Sequence, residues 1–255
     1  QIDGETSMKD LSRIFLNFPT LAGHLWFMYP LISLYLIMPV ISPWLEKASA
    51  KDELIFLGIF AFSTFMPWLH KFVAPELWGE CFWNCYHMLW YCSGFIGFLV
   101  MAHFVRFHIR WTVKKRLTVG TVCFLAGAGF TAWSFWWKGV PGVLIDTPIL
   151  EWAWEFCTPN VLCATFGLFL IFTCIGANKS CKLITGISKL SFGIYLMHMF
   201  FLAPIAAFFV NGNQANPIVP VYLAIPCIAL LTFVCCTITA KLLSYVPGSR
   251  RFLGA

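Results

Sequence analysis

Charge is scarce in this chain. Only 11% of its 255 residues are Asp, Glu, Lys or Arg, against 60% that are hydrophobic. A soluble domain carries about a quarter charged residues, and so apolar a chain would expose contiguous greasy patches in water. That composition excludes a water-soluble globular protein and requires a polytopic membrane protein. Several motifs are missing as well. There is no P-loop, no Gly-x-Ser-x-Gly elbow, no His-Glu-x-x-His pair and no Asp-rich metal motif. Hydrolytic and ATP-driven chemistry therefore has no support, and no metal is expected. No apolar stretch is flanked by repeating basic and aromatic residues, so nucleic acid is not an expected partner. Residues 1–20 have no basic start leading into an apolar core with a small-residue cleavage site, so they are not a signal peptide.

What is present is a succession of long apolar runs. Seven stretches are expected to span, at 21–42, 54–72, 86–107, 117–137, 155–175, 190–210 and 219–244. Each holds close to the roughly 20 apolar residues that a hydrocarbon core of about 30 Å requires. The expected fold is all-α: a transmembrane helix bundle forming one unit over 1–255, with 1–20 an outer loop and 245–255 a cytoplasmic tail. Trp26, Trp44, Trp68, Trp111, Trp136, Trp137 and Tyr245 gather near span ends, as interfacial belts do.

Lys and Arg set the orientation. With the N-terminus outside, the inner side holds Lys47, Lys51, Arg106, Arg110, Lys114, Lys115, Arg116, Lys179, Lys182, Lys189, Lys241, Arg250 and Arg251. The outer side keeps Lys9, Arg13, Lys71 and Lys138. That bias follows the positive-inside rule, and the formal net charge of +6 reads as topology and attraction to anionic lipid. Seven spans starting outside, in a chain whose first residue is Gln, lead to the expectation that the sequence enters an outer loop partway through a larger protein.

Eleven cysteines do not form a disulfide framework here. Cys92, Cys123, Cys163, Cys174, Cys227, Cys235 and Cys236 fall within spans, where cysteine acts as a small hydrophobe. Cys81 and Cys85 share an expected outer loop and would pair only in an oxidising compartment. With His87 they lack the second Cys pair that a zinc site needs.

The ionisable residues within the membrane are the natural candidates for function. Lys189 lies nine residues before His198, which at about 1.5 Å per residue puts the imidazole roughly mid-bilayer. An ionisable group at that depth is costly and points to a site. Ser188, Ser191, Tyr195 and His198 follow helical spacing and share a face. A helix-packing hydrogen bond is the competing explanation. His24 and Tyr35 are eleven residues apart, three helical turns, and also share a face, with His24 at the outer interface. Pro30 and Pro39 bend that helix. His103, Arg106 and Arg110 recur at i, i+3 and i+7. They form either a basic face for cofactor phosphates or positive-inside anchoring. Glu155, Thr158 and Asn160 make a polar outer mouth to the fifth span. The outer connections 71–86 and 138–154 carry Glu76, Trp78, Glu80, Trp83, Asp146, Glu151 and Trp152. Acids beside indoles suit sugar recognition, although an interfacial belt with solvated acids reads equally well.

Two stretches together are recognisable: Gly-His-Leu-Trp-Phe-Met-Tyr-Pro-Leu-Ile-Ser-Leu-Tyr-Leu-Ile-Met-Pro (23–39) and Leu-Ser-Phe-Gly-Ile-Tyr-Leu-Met-His (190–198). They resemble the integral-membrane acyltransferases of family 3, bacterial inner-membrane enzymes that O-acylate surface and secreted carbohydrates. The resemblance runs the length of the chain. It implies about ten spans with both ends cytoplasmic, so that seven spans starting outside correspond to the family without its first three. It further implies transfer of an acyl group, acetyl above all, from cytosolic acyl-CoA to a carbohydrate or glycolipid hydroxyl. The family's catalytic element is a basic residue followed by a His on the first helix. Arg13 stands eleven positions before His24, but in an expected outer segment rather than a first helix. The catalytic role is therefore not carried onto His24, and that base is expected on a helix outside this sequence. By the same resemblance His198, Tyr195 and Ser191 support the acyl-transfer cavity. His24, Tyr35, Glu155 and Asn160 line it, and His103, Arg106 and Arg110 hold the CoA phosphates. The competing functions are a small-solute transporter, disfavoured because no paired halves are visible, and a non-catalytic membrane scaffold.

Overall fold

The computed structural model describes residues 25–72, 90–140, 150, 152–175, 182–210, 219–246 and 248. Among them every regular element is helical. The order is α1 (Met28–Lys47), α2 (Ala50–Ser63), α3 (Met66–Phe72), a 3-10 turn (Trp90–Cys92), α4 (Phe95–Phe107), α5 (Val113–Lys138), α6 (Pro159–Phe172), α7 (Lys182–Val210) and α8 (Val221–Leu243). Among the described residues five stretches are long and apolar enough to cross a membrane: Met28–Lys47, Ala50–Leu69, Val113–Lys138, Lys182–Phe209 and Val221–Leu243. Two shorter apolar helices, Phe95–Phe107 and Pro159–Phe172, occupy the third and fifth expected positions. Large apolar side chains such as Leu36, Trp136 and Phe200 face outward, as they do where lipid is the solvent.

Where the expected boundaries differ, the reasons are local. α7 begins at Lys182 rather than 190, because Leu183, Ile184 and Ile187 extend the apolar pattern and one lysine does not stop a helix. α1 begins at Met28, after a turn at Trp26 and Phe27. His24, expected to share a face with Tyr35, lies outside the described residues. α2 breaks at Thr64 and Phe65, since Pro67 has no N–H to continue the ladder. There the Ser63 hydroxyl donates to the Phe60 carbonyl (2.6 Å) and the Thr64 hydroxyl to the Ala61 carbonyl (2.6 Å).

The helices group into two compact units, Tyr29–Ala177 and Gln1–Met28 with Asn178–Ala255. In the second, α7 and α8 pack together.

The first unit begins with a tight turn between α1 and α2. Ser49 caps α2 in a reciprocal capping box: Asp52 Oδ2 accepts from the Ser49 amide at 2.9 Å, and Ser49 Oγ accepts from the Asp52 amide at 3.3 Å. Gly94 precedes α4 with a positive φ of 77°, which a side chain would strain. Its core joins Ile41, Leu45 and Val100 in one cluster and Met101, Val105 and Leu170 in another.

α5 and α6 meet backbone to backbone. A Cβ at Gly127 would strike the Asn160 carbonyl oxygen and lie 2.6 Å from the Ala164 nitrogen. A Cβ at Gly167 would strike the Gly120 carbonyl oxygen and lie 2.6 Å from the Phe124 nitrogen. Small residues at such a seam let main chains approach, which is how helices associate in lipid. Arg116 Nη1 at the start of α5 donates to the Thr173 carbonyl beyond the end of α6 (3.4 Å), so the two run antiparallel.

Candidate functional site

Three places hold polar chemistry. On α7, Ser191, Tyr195 and His198 fall at i, i+4 and i+7 of one continuous helix and so share a face. Ser191 is exposed, and the other two are half-buried. The His198 ring stacks on Tyr195, with centroids 5.6 Å apart and planes 25° from parallel. Phe27 meets Tyr195 edge-on at 6.1 Å. His198 Nδ1 lies in hydrogen-bond contact with the Tyr195 carbonyl oxygen. A carbonyl only accepts, so Nδ1 carries the proton and donates it. In the neutral ring that fixes the tautomer, with the lone pair on Nε2.

The second place is the basic end of the first unit. Glu53 sits in the first turn of α2 and is fully buried. Its Oε1 accepts from His103 Nδ1 and from His108 Nε2, each at 2.9 Å. These bonds bring the α1–α2 turn against the C-terminal end of α4. Lys47, Lys51, Arg106, Arg110 and Lys114 to Arg116 thus gather at one end, the arrangement expected from the positive-inside pattern. His103 therefore faces Glu53, while Arg106 is exposed with its guanidinium 5.6 Å from the Phe107 ring centroid. The expected i, i+3, i+7 face stops short of Arg110. α4 ends at Phe107, the His108 and Ile109 amides both turn back to the Phe104 carbonyl, and Thr112 caps α5. Arg110 stands exposed in the connecting turn.

The third place is the opposite end of that unit, where indoles interlock. Trp68 stacks on Phe130 at 5.3 Å and meets Trp152 at 5.5 Å, while Trp133 and Trp137 stack at 5.4 Å. Trp152 is thereby buried in packing, whereas Trp136 and Trp154 stand exposed. Asn160 is buried too, its Nδ2 donating to Thr131 Oγ1 (2.7 Å) and to the Ala153 carbonyl (2.6 Å). It clamps α5, α6 and the segment before α6. Asn160→Ala should cost about 2 kcal/mol, because the buried Ala153 carbonyl loses its donor; the shift in denaturant midpoint in detergent reads it. An unchanged midpoint would remove that anchoring role.

The remaining expected site residues are more dispersed. Tyr35 on α1 is exposed, and Glu155 is half-buried with its carbonyl accepting from the Thr158 hydroxyl at 2.9 Å. His24, Cys81, Cys85, Glu76, Trp78, Glu80, Trp83, Asp146 and Glu151 lie outside the described residues. Glu53 and His108 had not been singled out. Their separation of 55 residues left no spacing signal.

A family model described as an acyltransferase domain matches residues 2–241. No curated protein and no solved structure matches this chain. Apolar helices in the expected order and a family match over most of the length agree with the resemblance of the two sequence stretches. This chain belongs to the family 3 membrane acyltransferases.

Proposed function

We propose that this acyltransferase moves an acyl group, acetyl the expected one, from cytosolic acyl-CoA to a hydroxyl of a cell-surface or secreted carbohydrate or glycolipid. The acceptor oxygen attacks the thioester carbonyl, an ester C–O bond forms, the C–S bond breaks, and the CoA thiol leaves with the proton. The setting is the bacterial inner membrane, with the C-terminus in the cytoplasm. The observation that carries the reading is the His198–Tyr195 pair, stacked on one face of α7 with His198 Nδ1 against the Tyr195 carbonyl. An imidazole held in that way suits orienting an acceptor hydroxyl. Tyr195 stacks on that ring and fixes its plane, and Ser191 continues the same face. Arg106 and Arg110, exposed at the basic end, suit the phosphates of the donor.

The purified protein, supplied with labelled acetyl-CoA and a surface glycan, should transfer label. His198→Ala should slow transfer about tenfold, the loss of one orienting hydrogen bond. An unchanged rate would take His198 out of the site. Solute uptake into proteoliposomes without acyl-CoA, and no transfer with it, would replace the enzyme reading by a permease.

A further inference from the structure

The buried carboxylate at the basic end does more than an ion pair requires. Glu53 is fully enclosed, yet both imidazoles address the same oxygen, Oε1, and Oε2 is buried with no hydrogen-bond partner among the described residues. A carboxylate removed from water with one oxygen unsatisfied is costly. The three ligand atoms, one from the first turn of α2 and two from the end of α4, lie within 4.8 Å of one another. On a regular helix residues five apart diverge by about 140° and do not share a face. His108 reaches the same point as His103 because it is the residue at which α4 ends.

We propose that Glu53, His103 and His108 form a binding site for a divalent first-row metal ion, with zinc the best fit. The inference stands apart from the acyl-transfer reading. One carboxylate with two imidazoles is a donor set that zinc takes with its fourth position left to water. Tetrahedral zinc with bonds of about 2.0–2.2 Å separates its ligand atoms by about 3.3 Å. The observed 2.9 Å contacts and the 4.8 Å outer limit bracket that spacing, so small side-chain rotations suffice. On binding, each imidazole offers its coordinating nitrogen unprotonated and carries its proton on the other ring nitrogen, and the cation takes the place of the two N–H groups beside the carboxylate. The two rings keep 22% and 24% of their surface exposed, which leaves the ion a way in from the basic end. A bound ion would join the α1–α2 turn to the end of α4.

The purified chain in detergent, loaded with zinc and dialysed against metal-free buffer, should hold about one zinc per chain by mass spectrometry and melt at lower temperature after chelation. Glu53→Gln, His103→Ala and His108→Ala should each weaken zinc binding at least about tenfold, and the chelator shift should vanish with it. Wild-type zinc content in the three variants, or no zinc in the folded wild type, would overturn the site. Should the variants fail to fold, cobalt substitution of the wild type decides. Visible bands of nitrogen and oxygen ligation support the site, and a thiolate charge-transfer band assigns the metal to the cysteines instead.

Discussion

Gly167→Ala should lower the unfolding free energy by about 2–3 kcal/mol, the upper part of the range for forcing one methyl into packed space. The new Cβ has nowhere to go. It would press on main-chain atoms of α5, the Gly120 carbonyl oxygen and the Phe124 nitrogen, and backbone cannot rotate aside as a side chain does. Gly127→Ala meets the same obstacle from the other helix, at Asn160 and Ala164. Gly129 lies on α5 with nothing within 4 Å of its added Cβ, so Gly129→Ala should be neutral or stabilise by up to about 1 kcal/mol through helix propensity. Unfolding in mixed micelles, followed by tryptophan fluorescence, gives all three values. Equal effects at Gly129 and Gly167 would mean that α5 and α6 do not touch along this seam.

Removing both histidines from Glu53 should be as damaging. With His103→Leu and His108→Leu together, the fully buried carboxylate keeps neither donor and its charge is uncompensated. Breaking a buried pair costs about 3–5 kcal/mol, and the lower value is expected here because both rings are partly exposed. Adding Glu53→Leu to that double variant should restore most of the loss, since apolar replacement of all partners removes the charge along with its need for company. The same unfolding titration distinguishes the cases. A triple variant no more stable than the double would show that the cluster contributes little as a charge centre.

Much of this architecture was legible because lipid imposes simple rules on sequence. Apolar length marked the spans, and the lysines and arginines at 47, 51, 106, 110 and 114–116 marked the end that the structure gathers together. The α7 face was legible for a similar reason: Ser191, Tyr195 and His198 lie within one helix, where spacing is geometry. The rest failed where geometry is long-range or where a helix stops. His103, Arg106 and Arg110 kept a helical period in sequence, but the period has no meaning beyond Phe107. Glu53 looked like an ordinary first-turn acid, favourable beside a helix N-terminus. Nothing in its neighbours announces two histidines 50 and 55 residues downstream.

That separation bears on how the chain is made. When the ribosome has delivered α1 and α2, neither imidazole has yet been synthesised, and a bare carboxylate stands in the first turn of a span. The α1–α2 hairpin must hold that end at the aqueous boundary until α4 follows, because a lone carboxylate does not enter hydrocarbon cheaply. Full insertion of α2 is then expected to wait for His103 and His108. A nascent chain halted between α3 and α4 should leave Glu53 open to water-soluble carboxyl reagents, and one halted after α5 should shield it.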